Sequence, residues 1–176
     1  MSIRPYIKEC IKDGRLVRWE PLIQGDPQLR QVLLAQELYN ELQELENHYQ
    51  QKYGFARLRA DVEHFIFGEY MTVAFDKDED GLLKRLTPKN REVWTFRMKR
   101  PKPSIRLFGR FAYEDVFVAM NLAQRKELGP VGSFEWKNEI HICRQRWTAI
   151  FNHHKPLSGE YPHDYIKENV IRANDL

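Results

Sequence analysis

The sequence predicts an α+β fold, an antiparallel β-meander packed against N-terminal helices and followed by a C-terminal helical extension. Three observations carry that expectation. Leu34, Leu38, Leu42, Leu45 and Tyr49 recur at helical spacing, with Glu37, Glu41, Glu44 and Glu46 elsewhere around the cylinder. From Val93 to Leu122 the period changes to the alternation of strands. After Gly129-Pro130, Ile140, Cys143, Trp147, Ile150 and Phe151 restore a helical stripe. Residues 1–130 are expected to form the core and 131–176 the extension, packed on the same domain.

In chain order, Tyr6 to Ile11 suits a short helix, and Leu16-Val17-Arg18-Trp19 after Asp13-Gly14 suits a short strand. Asp26-Pro27 reads as a helix start, an Asp cap with Pro preset at the first helical position, and the helix runs to about Tyr53-Gly54. A second helix is expected from about Arg57 to Phe67. Tyr70 to Phe75 is β-like, and Leu82, Leu83 and Leu86 form another short apolar cluster. Between them, Asp76-Lys77-Asp78-Glu79-Asp80-Gly81 reproduces the first half of a calcium loop. Thr87 stands where that loop needs a bidentate Glu, so the segment reads as an acidic turn.

The meander is the most informative stretch. Trp94, Phe96 and Met98 alternate onto one face, and Thr95, Arg97 and Lys99 onto the other. Arg100-Pro101-Lys102-Pro103 reads as a turn. Ile105, Leu107 and Phe111 then share a face opposite Arg106, Phe108 and Arg110. Val116 to Leu122 is apolar on both faces, as a central strand is. In register, Arg97, Lys99, Arg106 and Arg110 project from one side of the sheet, and the long helix covers the other. One more short helix is expected within Asp164 to Val170.

Composition excludes some classes. The chain has 176 residues, 42% of them apolar, with 10 Phe, 8 Tyr and 4 Trp, enough for a packed core. No apolar run has the length of a membrane helix, and Met1 to Tyr6 lacks the apolar stretch of a signal peptide, so a cytoplasmic protein without membrane association is expected. Cys10 and Cys143 read as two reduced thiols. The net charge of +3 hides a dipole. Residues 1–81 carry 10 Lys/Arg against 15 Asp/Glu, 82–113 carry 10 against the single acid Glu92, and 114–176 carry 8 against 9. A basic block of that kind is the footprint of a phosphate-binding surface, a solvated sheet face or a docking site for an acidic protein.

Metal and cofactor motifs are missing from the sequence. His141 and Cys143 lie two residues apart, and His153-His154 have no second ligand pair. There is no Gly-rich phosphate loop, nucleophile elbow or His-Glu-x-x-His helix. Neither a cofactor nor a metal is therefore expected, and any catalysis rests on cations and hydroxyls.

Two helices followed by a meander containing Val93-Trp94-Thr95-Phe96-Arg97, Ser104-Ile105-Arg106-Leu107-Phe108-Gly109 and Val116-Phe117-Val118-Ala119 resemble the RelE/ParE toxin superfamily, its HigB-like branch in particular. The resemblance covers roughly residues 28–128. It implies a toxin that cuts mRNA, usually at the ribosome, without a metal, and is neutralised by an antitoxin protein. It implies phosphate-stabilising roles for Arg97 and Arg106 and a basic residue after the third strand at Arg125. Lys99 joins these catalytic candidates because it shares the face of Arg97, and Lys102, Arg110 and Tyr113 are candidate RNA contacts. ParE-type members act on DNA gyrase instead, and nothing after Arg125 aligns with the acid or base the family often carries near its end. The alternative is a non-catalytic phage or mobile-element protein that uses the basic face to bind nucleic acid or an acidic partner.

Overall fold

The computed structural model describes residues 2–23, 25, 27–47, 52–98, 102 and 104–175, with side chains undescribed at 47 and 52–54. Asp26, Tyr49, Lys99, Arg100, Pro101 and Pro103 therefore lie outside the described residues. The α+β class holds: one eight-stranded mixed sheet runs β1-β2-β7-β6-β5-β4-β3-β8, with helices on both faces.

Ser2 caps α1 (Ile3–Lys12) by accepting from the Arg4 amide. Strand β1 (Leu16–Arg18) follows and pairs antiparallel with β2 (Gln31–Ala35). β2 occupies the start of the expected long helix. Val32, Leu33, Leu34 and Ala35 are consecutive and all buried, a pattern suited to a strand covered on both faces, and β2 runs parallel to β7 in the sheet interior. The helical spacing from Leu34 to Leu38 crosses a real boundary, because α2 (Gln36–Asn47) starts one residue after β2.

α3 (Lys52–Ile66) then leads to β3 (Met71–Ala74) and β4 (Leu83–Arg85), which are parallel to each other. β5 (Trp94–Arg97), β6 (Ile105–Tyr113) and β7 (Val116–Gln124) form the expected antiparallel meander, extended by the antiparallel β4–β5 pair. α4 (Phe134–Phe151), capped by Ser133, crosses back over the sheet. The last segment is not wholly helical. After α5 (Pro162–Tyr165), β8 (Val170–Arg172) adds an edge strand parallel to β3.

The two faces are covered by different helices. On one, Phe65 of α3 meets Phe96 and Phe111 edge-on, and Phe117 packs against both of those rings. A Cβ at Gly109 would come within 2.4 Å of the Val118 carbonyl oxygen and 2.5 Å of the Phe117 ring, so only glycine lets the strands close here. On the other face, Trp136 of α4 packs on Phe108, and Trp147 lies beside the Arg110 guanidinium. The expected open cationic face is thus roofed by α4, and the apolar face is covered by α3 in place of the long helix.

The C-terminal segment is tied in by charge. Glu92, buried and at φ 49°, accepts from the Tyr165 hydroxyl at 2.7 Å and the Ser158 hydroxyl at 3.0 Å. Burial and the Glu92 bond raise the Tyr165 pKa. At the sheet edge Arg172 bridges Glu79 at 2.7 Å and also reaches Asp76. The acidic turn is therefore engaged: Glu79 accepts from the amides of Phe75 and Asp76, and Lys89 binds Asp76. Both cysteines are free and buried.

Candidate anion-binding cleft

The meander places the end of β5, the start of β6 and the end of β7 side by side. Arg97 and Arg106 are direct cross-strand partners, and Arg106 pairs with Ala123, two residues before Arg125. The Arg125 amide donates to the Ser104 carbonyl at 2.7 Å, closing the same sheet end. Three of the sequence-predicted cations, Arg97, Arg106 and Arg125, consequently line one cleft of about 470 Å³ beneath the first turns of α4.

Each guanidinium is held differently. Arg97 pairs with Asp80 at 2.6 Å and is partly exposed. Arg125 donates to the Gly129 carbonyl at 2.7 Å, its guanidinium 5.8 Å from the Trp136 ring centre. Arg106 is only 6% exposed and directs Nη1 at the Met98 carbonyl, the Ser104 hydroxyl and the Ile105 carbonyl, at 2.8, 2.8 and 3.1 Å. Burial, then repulsion from Arg97 and Arg125, push its pKa down to about 10. Like charges placed directly across a strand pair destabilise it, so the Arg97–Arg106 pair marks a place that gains from an anion.

Sequence reasoning did not name the cleft's other cations, Lys77, Lys84, Arg85, Arg91 and Lys137. Lys84, on β4, lies in register with Thr95 and so shares its face. Its ammonium donates to the carbonyls of Lys77 and Glu79 at 2.7 Å each, and burial, followed by the nearby Arg97 charge, lowers its pKa. Lys137 enters from α4. Lys84 stood within the basic block, but its face depended on a β4–β5 register that three short residues could not specify. Asp78 is the one carboxylate-bearing residue among the described lining residues.

The remaining predicted residues lie elsewhere or outside the described set. Lys99 is outside the described residues, and Lys102 is exposed in the β5–β6 connection. Arg110 shares the α4 side of the sheet but sits under the helix, 8% exposed, donating to the Arg91 and Glu92 carbonyls with its guanidinium 5.2 Å from the Trp147 ring centre. Burial lowers its pKa to about 10 as well. Its expected role as an open RNA contact is corrected to that of a buried tie. Tyr113 ends β6 roughly 20 Å along the strand from Arg106 and stacks under Arg4 at 4.5 Å. It is not part of the cleft.

No family model matches the chain, and no curated protein or solved structure matches it. Among the described residues no helix is long and apolar enough to cross a membrane, and no group of three or more His, Cys, Asp or Glu is placed to hold a metal ion.

Proposed function

We propose that this protein binds RNA, seating a backbone phosphate among Arg97, Arg106 and Arg125. The convergence of these three guanidiniums from adjacent strand ends on one cleft carries the reading. Arginine suits the task because its planar fork pairs with two phosphate oxygens and keeps its charge. Lys84 and Lys137 extend the positive field along the cleft. The test is fluorescence anisotropy of a labelled single-stranded RNA of about ten nucleotides across a salt series. Engagement of one phosphate gives a log–log salt slope of about −0.7 for a single strand, and a steeper one where Lys84 and Lys137 engage its neighbours. Binding that ignores salt, or that survives Arg97→Ala and Arg125→Ala together, overturns the reading. Tighter binding to poly-glutamate than to RNA assigns the cleft to an acidic protein instead.

Cleavage is the second reading, the one that the resemblance to RelE-like toxins implies. One observation favours it: Arg106 is desolvated and fixed before any ligand arrives, the preorganisation by which cations stabilise charge developing on phosphoryl oxygens. In that chemistry the 2′-hydroxyl attacks the adjacent phosphorus, and the 5′-oxygen leaves with a proton. Mapping of new RNA 5′ ends, with and without ribosomes, checks it. Growth arrest that persists undiminished in Arg97→Ala, Arg106→Ala and Arg125→Ala rules these residues out as its cause. An antitoxin protein that relieves the arrest belongs to the same reading.

A further inference from the structure

The cleft has a second chemical character that a phosphate alone does not use. Its cationic floor comes from the strands, but its upper walls are apolar. Leu86 and Pro88 line it from the segment after β4, and Val131, Trp136 and Ile140 line it from the segment leading into α4 and from α4 itself. Trp136 and Ile140 are four residues apart and so share one helix face. The Trp136 indole packs on Phe108 and is 6% exposed. The first turn of α4 adds the positive end of an eighteen-residue helix to the same cleft.

An apolar wall facing a cationic floor matches a molecule that is planar and apolar at one end and anionic at the other. The cleft's 470 Å³ lies within the ~300–1,000 Å³ of small-ligand sites. Its floor excludes a duplex, because Thr95 and Arg106 are 1% and 6% exposed and a phosphate on the outside of a rigid double helix cannot reach them. We propose that the cleft takes one nucleotide with an unpaired base, the base against Leu86, Trp136 and Ile140 and its phosphate on the arginines. This deepens the RNA-binding reading and rests on it. It also assigns a role to α4, which lies beyond the stretch that resembles the toxin superfamily.

The experiment measures anisotropy of the labelled RNA of about ten nucleotides with the full-length protein, against three relatives. These are the same strand lacking its bases, the strand annealed into a duplex, and free uridine monophosphate or ribose 5-phosphate as competitors. Loss of the base or annealing is expected to weaken binding about tenfold or more, the loss per stacked base. Trp136→Phe keeps an aromatic ring but shrinks the apolar wall against which the base is proposed to lie. It is expected to weaken the normal strand several-fold and leave the base-free strand unchanged, a contrast that a folding defect does not produce. Competition by uridine monophosphate but not by ribose 5-phosphate identifies a free nucleotide as an occupant, whereas competition only by strands places the nucleotide within a chain. Either result supports the slot. Equal affinity for the strand with and without bases, still dependent on Arg97 and Arg125, overturns the slot and leaves phosphate binding standing. No binding to any of these probes overturns both.

Discussion

Replacing Arg106 with methionine separates the cleft's function from its stability. The arginine's pKa stands at about 10, against a usual value above about 12. Each unit is worth about 1.4 kcal/mol, so holding the charge in the folded state costs on the order of 3 kcal/mol. The sign follows from linkage. A lowered folded pKa means that folding disfavours the protonated form, and near neutral pH the group is charged in both states, so the penalty applies in full. Against it stand the bonds from Nη1 to Met98, Ser104 and Ile105. They share one nitrogen, and the freed acceptors can turn to water in the cleft, which makes them worth about 1–2 kcal/mol together. Methionine keeps the unbranched stem against its neighbours. The net expectation is a gain of about 1 kcal/mol, read as a thermal midpoint about 2–4 °C higher. RNA affinity is expected to fall about 10- to 100-fold as a charge-assisted phosphate contact is lost. A midpoint lower by several degrees with RNA affinity unchanged would refute the reasoning, because it would make Arg106 a structural tie.

Three further outcomes are expected. Arg110→Met leaves RNA affinity within about twofold, the ordinary error of an uncoupled site, since α4 shields that guanidinium from the cleft. Anisotropy on both variants makes the comparison. Tyr165→Phe removes the 2.7 Å bond to the buried Glu92 carboxylate and costs about 1.5–3 kcal/mol in urea denaturation. The third concerns acid. Burial alone would raise the Glu79 pKa, but the Phe75 and Asp76 amides and Arg172 outweigh it and hold it below the usual value. The stability it supplies is therefore complete above the unfolded value near 4.3 and is lost as pH falls through the lower folded one. Protection factors of the amides across Val170–Arg172, corrected for the intrinsic exchange rate at each pH, are expected to fall over that range in the wild type, whereas Glu79→Gln shows low protection there already at neutral pH.

What the sequence disclosed depended on how far each signal reached. β5 and β6 were legible because each carries its own alternation, β7 because a short run apolar on both faces reads as a central strand, and antiparallel neighbours joined in order need no distant information. The shared face of Arg97 and Arg106 came from the same source, and the structure makes them direct cross-strand partners. β2 was not legible, because Val32 to Ala35 are apolar on both faces and leucine spacing continues without a break into α2. Only the parallel pairing with β7, some eighty residues away, decides between helix and strand. β8 is three residues long and exists because β3 offers an edge and Arg172 finds Glu79 and Asp76. The fate of each cation depended likewise on the roof. Alternation placed Arg106 and Arg110 on one face, but α4 alone determines that the first lines a cleft and the second is sealed beneath Trp147.

Several cations of the basic block are matched within the fold. Arg110 and Arg85 turn inward to carbonyls and to Glu92, while Lys89 is matched by Asp76 and Arg97 by Asp80. The acidic turn therefore acts as an internal counterion for the strands beside it. Arg106 is different: its guanidinium donates to carbonyls and a hydroxyl, Arg97 and Arg125 repel it, and Asp80 offsets that repulsion only in part. A fold under selection for stability alone gains nothing from desolvating that charge, since apolar replacements of similar volume are commonly as good or better. An anion in the cleft reverses the balance. It turns the repulsion among three guanidiniums into shared attraction, so the feature that weakens the empty protein strengthens the occupied one. Ligand-induced stabilisation should accordingly be larger in the wild type than in Arg106→Met, even though the empty variant melts higher.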